Sequence, residues 1–132
     1  MKTKEVNVKY EVEEDGKIVE KTFGPVILKK MNFLEKCDFK GKIVKVSIKQ
    51  VNGISKEEKN IDTGALFFWT VVYSIKSLPK YPNFSELDES KKADIVSYLG
   101  CGEDEPENLG EVLFQEASQL NPLTDQVQLK KK

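Results

Sequence analysis

The chain predicts an α+β domain: an N-terminal antiparallel β-hairpin or meander followed by a C-terminal helical bundle of three to four helices. Two patterns carry that expectation. Residues 4 to 14 alternate apolar and polar with period two and end at Asp15-Gly16, a dipeptide tolerant of the positive φ that tight hairpin turns require. From Asp62 onward the apolar residues recur at helical spacing instead, and Pro79, Gly100 and Asn121-Pro122 stand where helices stop. At 132 residues the chain can bury a real core without disulfide or metal staples. No repeat or low-complexity linker divides it, so residues 1–122 are expected as one domain and 123–132 as a flexible, lysine-ended tail.

In order along the chain, Val6, Val8, Tyr10 and Val12 point one way in the first strand, with charged residues and Asn7 between them. Lys17 to Phe23 returns as a second strand, Gly24-Pro25 is expected to break it, and Val26-Ile27-Leu28 reads as a third extended piece. Met31 to Phe39 fits a short helix before Gly41. Residues 43–51 fit two templates: Val44, Val46 and Ile48 alternate as in a strand, while Ile43, Ser47, Ile48 and Val51 share a helix face, and strand propensity favours the first. From Asn52-Gly53 onward the pattern is helical, with capping-box spacing in Ser55-Lys56-Glu57-Glu58. The stronger start is Asp62, giving a helix over 62–78. Further helices are predicted over 86–99, capped by Ser85 or Asp88, and over 106–120, with the stripe Leu109, Val112, Leu113, Ala117 and Leu120.

The composition excludes more than it includes. The chain has no histidine, and all 21 of its basic side chains are lysines. The usual general base, the commonest metal ligand and the usual anion-binding fork are therefore all missing. The remaining acids, Lys, Tyr, Ser, Thr and two cysteines form no recognisable catalytic spacing, so no enzyme, cofactor or metal is expected. Cys37 and Cys101 lack a CxxC neighbour and are expected as buried small hydrophobes. Glu103, Asp104, Glu105 and Glu107 suit a helix start through the helix dipole, and would repel an anion from Gly100-Cys101-Gly102. The opening Met1-Lys2-Thr3-Lys4-Glu5 is no apolar leader, so a cytoplasmic, reduced setting is expected. The longest apolar run, Ala65 to Tyr73, is about half of the ~20 residues a membrane span needs.

Charge is segregated. Residues 1–82 hold 16 Lys and 11 acids, whereas residues 83–129 hold 2 Lys and 11 acids. This can describe two solvated faces, or a dipolar surface that stacks head to tail or meets a charged partner. A basic stripe with Arg among aromatics, as nucleic-acid binding shows, is absent. The helix over 62–78 is unusual in being apolar around its whole circumference, through Leu66, Phe67, Phe68, Trp69, Val71, Val72, Tyr73 and Ile75. Such a helix is central to the fold or lends a face to another chain. If it lends a face, Phe67, Phe68, Trp69 and Tyr73 are the candidate contact or oligomer residues.

The order of elements resembles the tail assembly chaperones of long-tailed bacteriophages. The corresponding pieces are the hairpin Lys4 to Phe23, the leucine- and lysine-bearing strand Val26-Ile27-Leu28-Lys29-Lys30 leading into Met31-Asn32-Phe33-Leu34-Glu35, the helix Trp69 to Leu78 with its exit at Pro79, and a final helix ending Gln119-Leu120-Asn121-Pro122. The likeness covers most of residues 4 to 122 and supplies no residue-level motif. It implies a non-enzymatic protein that binds the tape-measure protein, helps recruit tail-tube subunits, and works in the cytoplasm of a bacterial host. Some such proteins gain a longer form by ribosomal slippage on A-rich codons, with which Lys130-Lys131-Lys132 is compatible, as it is with a solubilising tail. The alternative is a small intracellular regulatory or inhibitor domain that meets a folded partner through its acidic C-terminal half.

Overall fold

Alternation along residues 3–29 builds one long antiparallel ribbon in the computed structural model, which describes residues 2–122. The tail expected at 123–132 lies outside the described residues. Strand β1 (Thr3–Glu14) pairs with β2 (Lys17–Lys29) around Asp15-Gly16, both at positive φ. Gly24-Pro25 does not break β2, contrary to expectation. The register shifts between Val6 and Val8, leaving Gly24-Pro25 as a bulge in β2 opposite the single residue Asn7. There the missing Pro N–H interrupts no ladder bond. Only glycine fits at 24, since a Cβ would overlap Asn7 Oδ1 and come 3.0 Å from the Val6 carbonyl oxygen.

Helix α1 (Phe33–Ile43) begins at a complete capping box: Asn32 Oδ1 accepts from Glu35 N at 2.9 Å, and Glu35 Oε1 accepts from Asn32 N at 2.9 Å. Glu35 also holds the buried Lys29 ammonium at 2.6 and 2.7 Å, tying the end of β2 to the helix start. The helix continues through Gly41, and Val44–Val51 then runs as strand β3.

The helical expectation from Asn52-Gly53 onward fails over residues 54–61, which form strand β4 (Ile54–Ile61) paired with β3 over its whole length. Asn52 and Gly53 take φ of 55° and 78°, a two-residue turn that sends the chain straight back. The capping-box spacing at Ser55–Glu58 loses because no apolar helix face follows it. Ser55 instead pairs with Gln50, whose Nε2 donates to its Oγ at 2.9 Å.

Asp62 then caps α2 (Thr63–Ser74), its Oδ1 accepting from Ala65 N at 3.1 Å. The helix stops four residues short of the predicted 78. Ile75–Ser77 becomes β5 and adds to β2, giving a three-stranded sheet in the order β1-β2-β5. After a 3-10 turn at Phe84–Glu86 come α3 (Glu89–Ser97), capped by Asp88, and α4 (Leu109–Leu120). Both are shorter at their starts than predicted. The α+β class stands, with four helices after the N-terminal ribbon and a second hairpin set between the first two.

Two cores result. The larger joins the inner sheet face (Val6, Val8, Phe23, Val26, Leu28) to Val71, Val72 and Ile75 and to the α4 stripe Leu109, Leu113, Ala117 and Leu120. The smaller gathers Met31, Phe39, Ile43 and Tyr73. Both cysteines are exposed, which corrects the expectation of burial. Cys37 lies on α1 away from Phe39 and Ile43, and Cys101 follows Gly100 in the loop after α3. No described helix is long and apolar enough to cross a membrane.

Candidate protein-interaction surface

The circumferentially apolar helix is divided along its length rather than around it. In α2 Thr70 to Ser74 are all buried, whereas Ala65, Leu66, Phe68 and Trp69 are half-buried and Phe67 keeps 53% of its surface in water. The sheet and α4 converge on the C-terminal half, and the N-terminal half is less fully covered.

The four candidate aromatics separate accordingly. Phe67 stacks on Phe114 of α4 with ring centroids 4.3 Å apart and planes 25° from parallel. Phe68 meets Trp69 edge-on at 5.0 Å, and Trp69 lies 5.7 Å from Tyr73. Trp69 packs against both cores and carries the Lys42 ammonium 4.6 Å from its ring centroid. Tyr73 is buried, and its hydroxyl donates to Glu89 Oε1 at 2.7 Å. Lys42 reaches the other Glu89 oxygen at 2.8 Å. Burial and then the bond to Glu89 push the Tyr73 phenol far above its ordinary value, while Lys42 and Tyr73 hold the Glu89 carboxyl below its own. Trp69 and Tyr73 therefore clamp α1 and α3 to α2, Phe67 faces outward, and Phe68 packs half-buried against the larger core.

Phe67, Phe68 and Val71 line one wall of a groove of about 380 Å³, with Val96 and Leu99 from the α3 region and Phe114 from α4 opposite. Gly64 and Gly110 are among its lining residues, and a Cβ at Gly110 would touch nothing within 4 Å. The lining is mainly apolar, and Glu111 stands among it. Phe114, which sequence reasoning passed over, completes the aromatic pair. Its only sequence signal is that it follows Leu113, one position off the buried stripe.

A second, more polar cleft of about 670 Å³ is lined by Tyr10, Glu11 and the loop from Gly100 to Asn108. Gly100 does not present a free amide to an anion, because Glu105 Oε1 already accepts from its N–H at 2.7 Å. Gly100 is required there, with φ of +90° and space that a Cβ would share with the Glu107 carbonyl oxygen at 2.7 Å. Among the described residues no group of three or more acidic or cysteine side chains is placed to hold a metal ion. Compared with protein-family models, curated proteins and solved structures, the chain matches none.

Proposed function

We propose that this protein is a non-enzymatic tail assembly chaperone of a long-tailed phage or prophage, acting in the host cytoplasm. In this reading it holds an apolar-faced helix of the tape-measure protein in the α2–α3–α4 groove and helps recruit tail-tube subunits. The observation that carries it is the half-exposed Phe67 stacked on Phe114 over a mainly apolar groove. An amphipathic helix lays its apolar side into such a trough through anchors spaced i, i+3, i+4 and i+7. The resemblance in element order names the client.

Trp69, the sole tryptophan, sits 5.0 Å from Phe68 and reports on the groove without a label. Titration with tape-measure fragments from the same genome should change its fluorescence saturably. Phe67→Ala should weaken binding by roughly 30-fold, the equivalent of a ~2 kcal/mol hot spot. Failure of every tape-measure segment to bind would sink this reading. A small regulatory domain is the second reading, favoured by Glu11, Glu103, Glu105 and Glu107 around the polar cleft. That partner would be basic, its binding would fall steeply with salt, and it would ignore Phe67→Ala.

A further inference from the structure

The hairpin β3–β4 takes no part in that groove. Among the described residues its strands pair only with each other, in eight opposed pairs from Val44↔Ile61 to Val51↔Ile54, without a register shift. Every one of its side chains is exposed except the half-buried Val44 and Glu58. Opposed residues share a face, so Val44, Val46, Ile48 and Ile61 lie on one side and Lys45, Lys49, Lys56 and Glu58 on the other. Val46 and Ile48 leave 54% and 68% of their surfaces in water. A two-stranded hairpin alone is marginal, and a long flat edge without proline or bulge is a template for another strand.

We propose that β3 is a self-pairing edge: two copies of this chain join antiparallel through their β3 strands, about a two-fold axis at Ser47, into one four-stranded sheet. The backbone directs it. With Val51↔Ile54 closing the two-residue turn, the alternation of an antiparallel ladder turns the N–H and C=O groups of Val44, Val46, Ile48 and Gln50 away from β4. The side chains then select the partner. In the Ser47-centred register Val46 lies opposite the partner's Ile48, Ile48 opposite the partner's Val46, and Ser47 opposite the partner's Ser47. Val46 and Ile48 of the two copies then form an aliphatic cluster across the seam, with Gln50 opposite the partner's Val44 and with Lys59 and Glu57 flanking it on β4.

On the other face Lys45 would oppose the partner's Lys49. Each already has its own counter-charge, Lys45 on Asp62 at 3.5 Å and Lys49 on Glu58 at 3.2 Å. The centre of the β4 edge offers no such register. A two-fold axis at Lys56, Glu57, Glu58 or Lys59 sets a charge against its own copy, which destabilises a strand pair. Edge chemistry thus favours a second copy through β3 and disfavours one through β4.

Sedimentation of the full chain from low micromolar to millimolar concentration tests this. The wild type should pass from monomer to dimer. Ser47→Asp, which opposes two carboxylates, should raise the dissociation constant by about tenfold or more. Val46→Lys should also weaken the dimer, and adding Ile48→Glu should restore it, because each new lysine then meets the partner's new carboxylate. All three positions are exposed, so far-UV circular dichroism should not change. In a Cys37→Ser/Cys101→Ser background, Ser47→Cys should cross-link under mild oxidant, since a non-hydrogen-bonded pair brings Cα atoms to about 4.5 Å, within disulfide reach. Lys49→Cys should not cross-link. Phe67→Ala should leave the dimer intact, which separates this surface from the client groove. A wild type that stays monomeric, a dimer indifferent to Ser47→Asp, or one dissolved by Phe67→Ala would overturn the proposal.

Discussion

Replacing Asn121 with alanine should cost about 3 kcal/mol of stability, because one buried amide joins the end of α4 to β2, to the β2–α1 connection and to α2. Its Oδ1 accepts from Met31 N at 2.9 Å, and its Nδ2 donates to the Lys29 carbonyl oxygen at 3.1 Å and to Ser74 Oγ at 3.0 Å. Asn121 is 3% exposed, and Met31, Lys29 and Ser74 are buried with it. Truncation strands the Met31 N–H and the Lys29 C=O at about 1–3 kcal/mol each, whereas the Ser74 hydroxyl can turn to another acceptor. Three kcal/mol is a large part of the roughly 5–15 kcal/mol that holds a domain folded. For a chain of this length it lowers Tm by on the order of 12 °C. Urea unfolding followed by circular dichroism should show a lower midpoint with the slope unchanged. Asn121→Asp keeps the acceptor but loses the donor, and should recover part of its deficit as acid protonates the new carboxyl. A loss below about 0.5 kcal/mol for Asn121→Ala, the range of ordinary surface changes, would refute the idea that this amide is a structural junction.

Three further outcomes are expected. Gly110→Ala should raise stability by about 0.5 kcal/mol through helix propensity while its methyl narrows the groove and weakens client binding, whereas Gly100→Ala should lose more than about 1 kcal/mol to its positive φ and the Glu107 carbonyl; thermal melts and Trp69 titrations measure both effects. Glu89, held below the ordinary carboxyl range by Lys42 and Tyr73, contributes stability above its unfolded pKa that is lost as pH falls through the lower folded value. Partial exposure keeps that contribution small, and Glu89→Gln should flatten the acid slope below about pH 4. Tyr73 behaves in the opposite sense: its raised phenol contributes fully below about pH 10 and progressively less above it, so Tyr73→Phe should flatten the alkaline limb. Finally, Cys37 and Cys101 should both react with a thiol reagent in the folded protein; protection lasting until unfolding would contradict their exposure.

The first ribbon was readable in the sequence because its signals are local. Period-two alternation sets the faces and Asp15-Gly16 sets the turn, so β1 and β2 need no distant partner to be recognised. The same rule was available at Asn52-Gly53, yet the polar run Ser55 to Asn60 has no apolar alternation to mark a strand. Its partner β3 supplies the apolar side chains for both, so the pattern exists only across the pair. Asn121 was read only as a helix stop. That it also serves β2 and α2 depends on where α4 ends in space, and no local spacing encodes it.

The aromatic helix marks the boundary between what pattern can and cannot decide. Apolar residues around the whole of α2 require that it be covered on all sides, but say nothing of which neighbour covers each part. Folding settles this lengthwise, since α2 enters from the exposed β3–β4 hairpin and leaves into β5 at the sheet edge. Its late residues are buried in the two cores, whereas its early residues are only partly covered, by the smaller core at Ala65 and Leu66, by the larger core at Phe68 and by the Phe114 ring at Phe67. Trp69 stands at the transition, touching both cores, with Phe67 beyond them. The surplus apolar surface therefore lies where the chain enters the helix, and that position separates a groove made by α2, α3 and α4 from a strand edge made by β3. The two surfaces share no residue, so the proposed client groove and the proposed self-pairing edge can be perturbed separately. Binding of client by the Ser47→Asp variant would show whether either event requires the other.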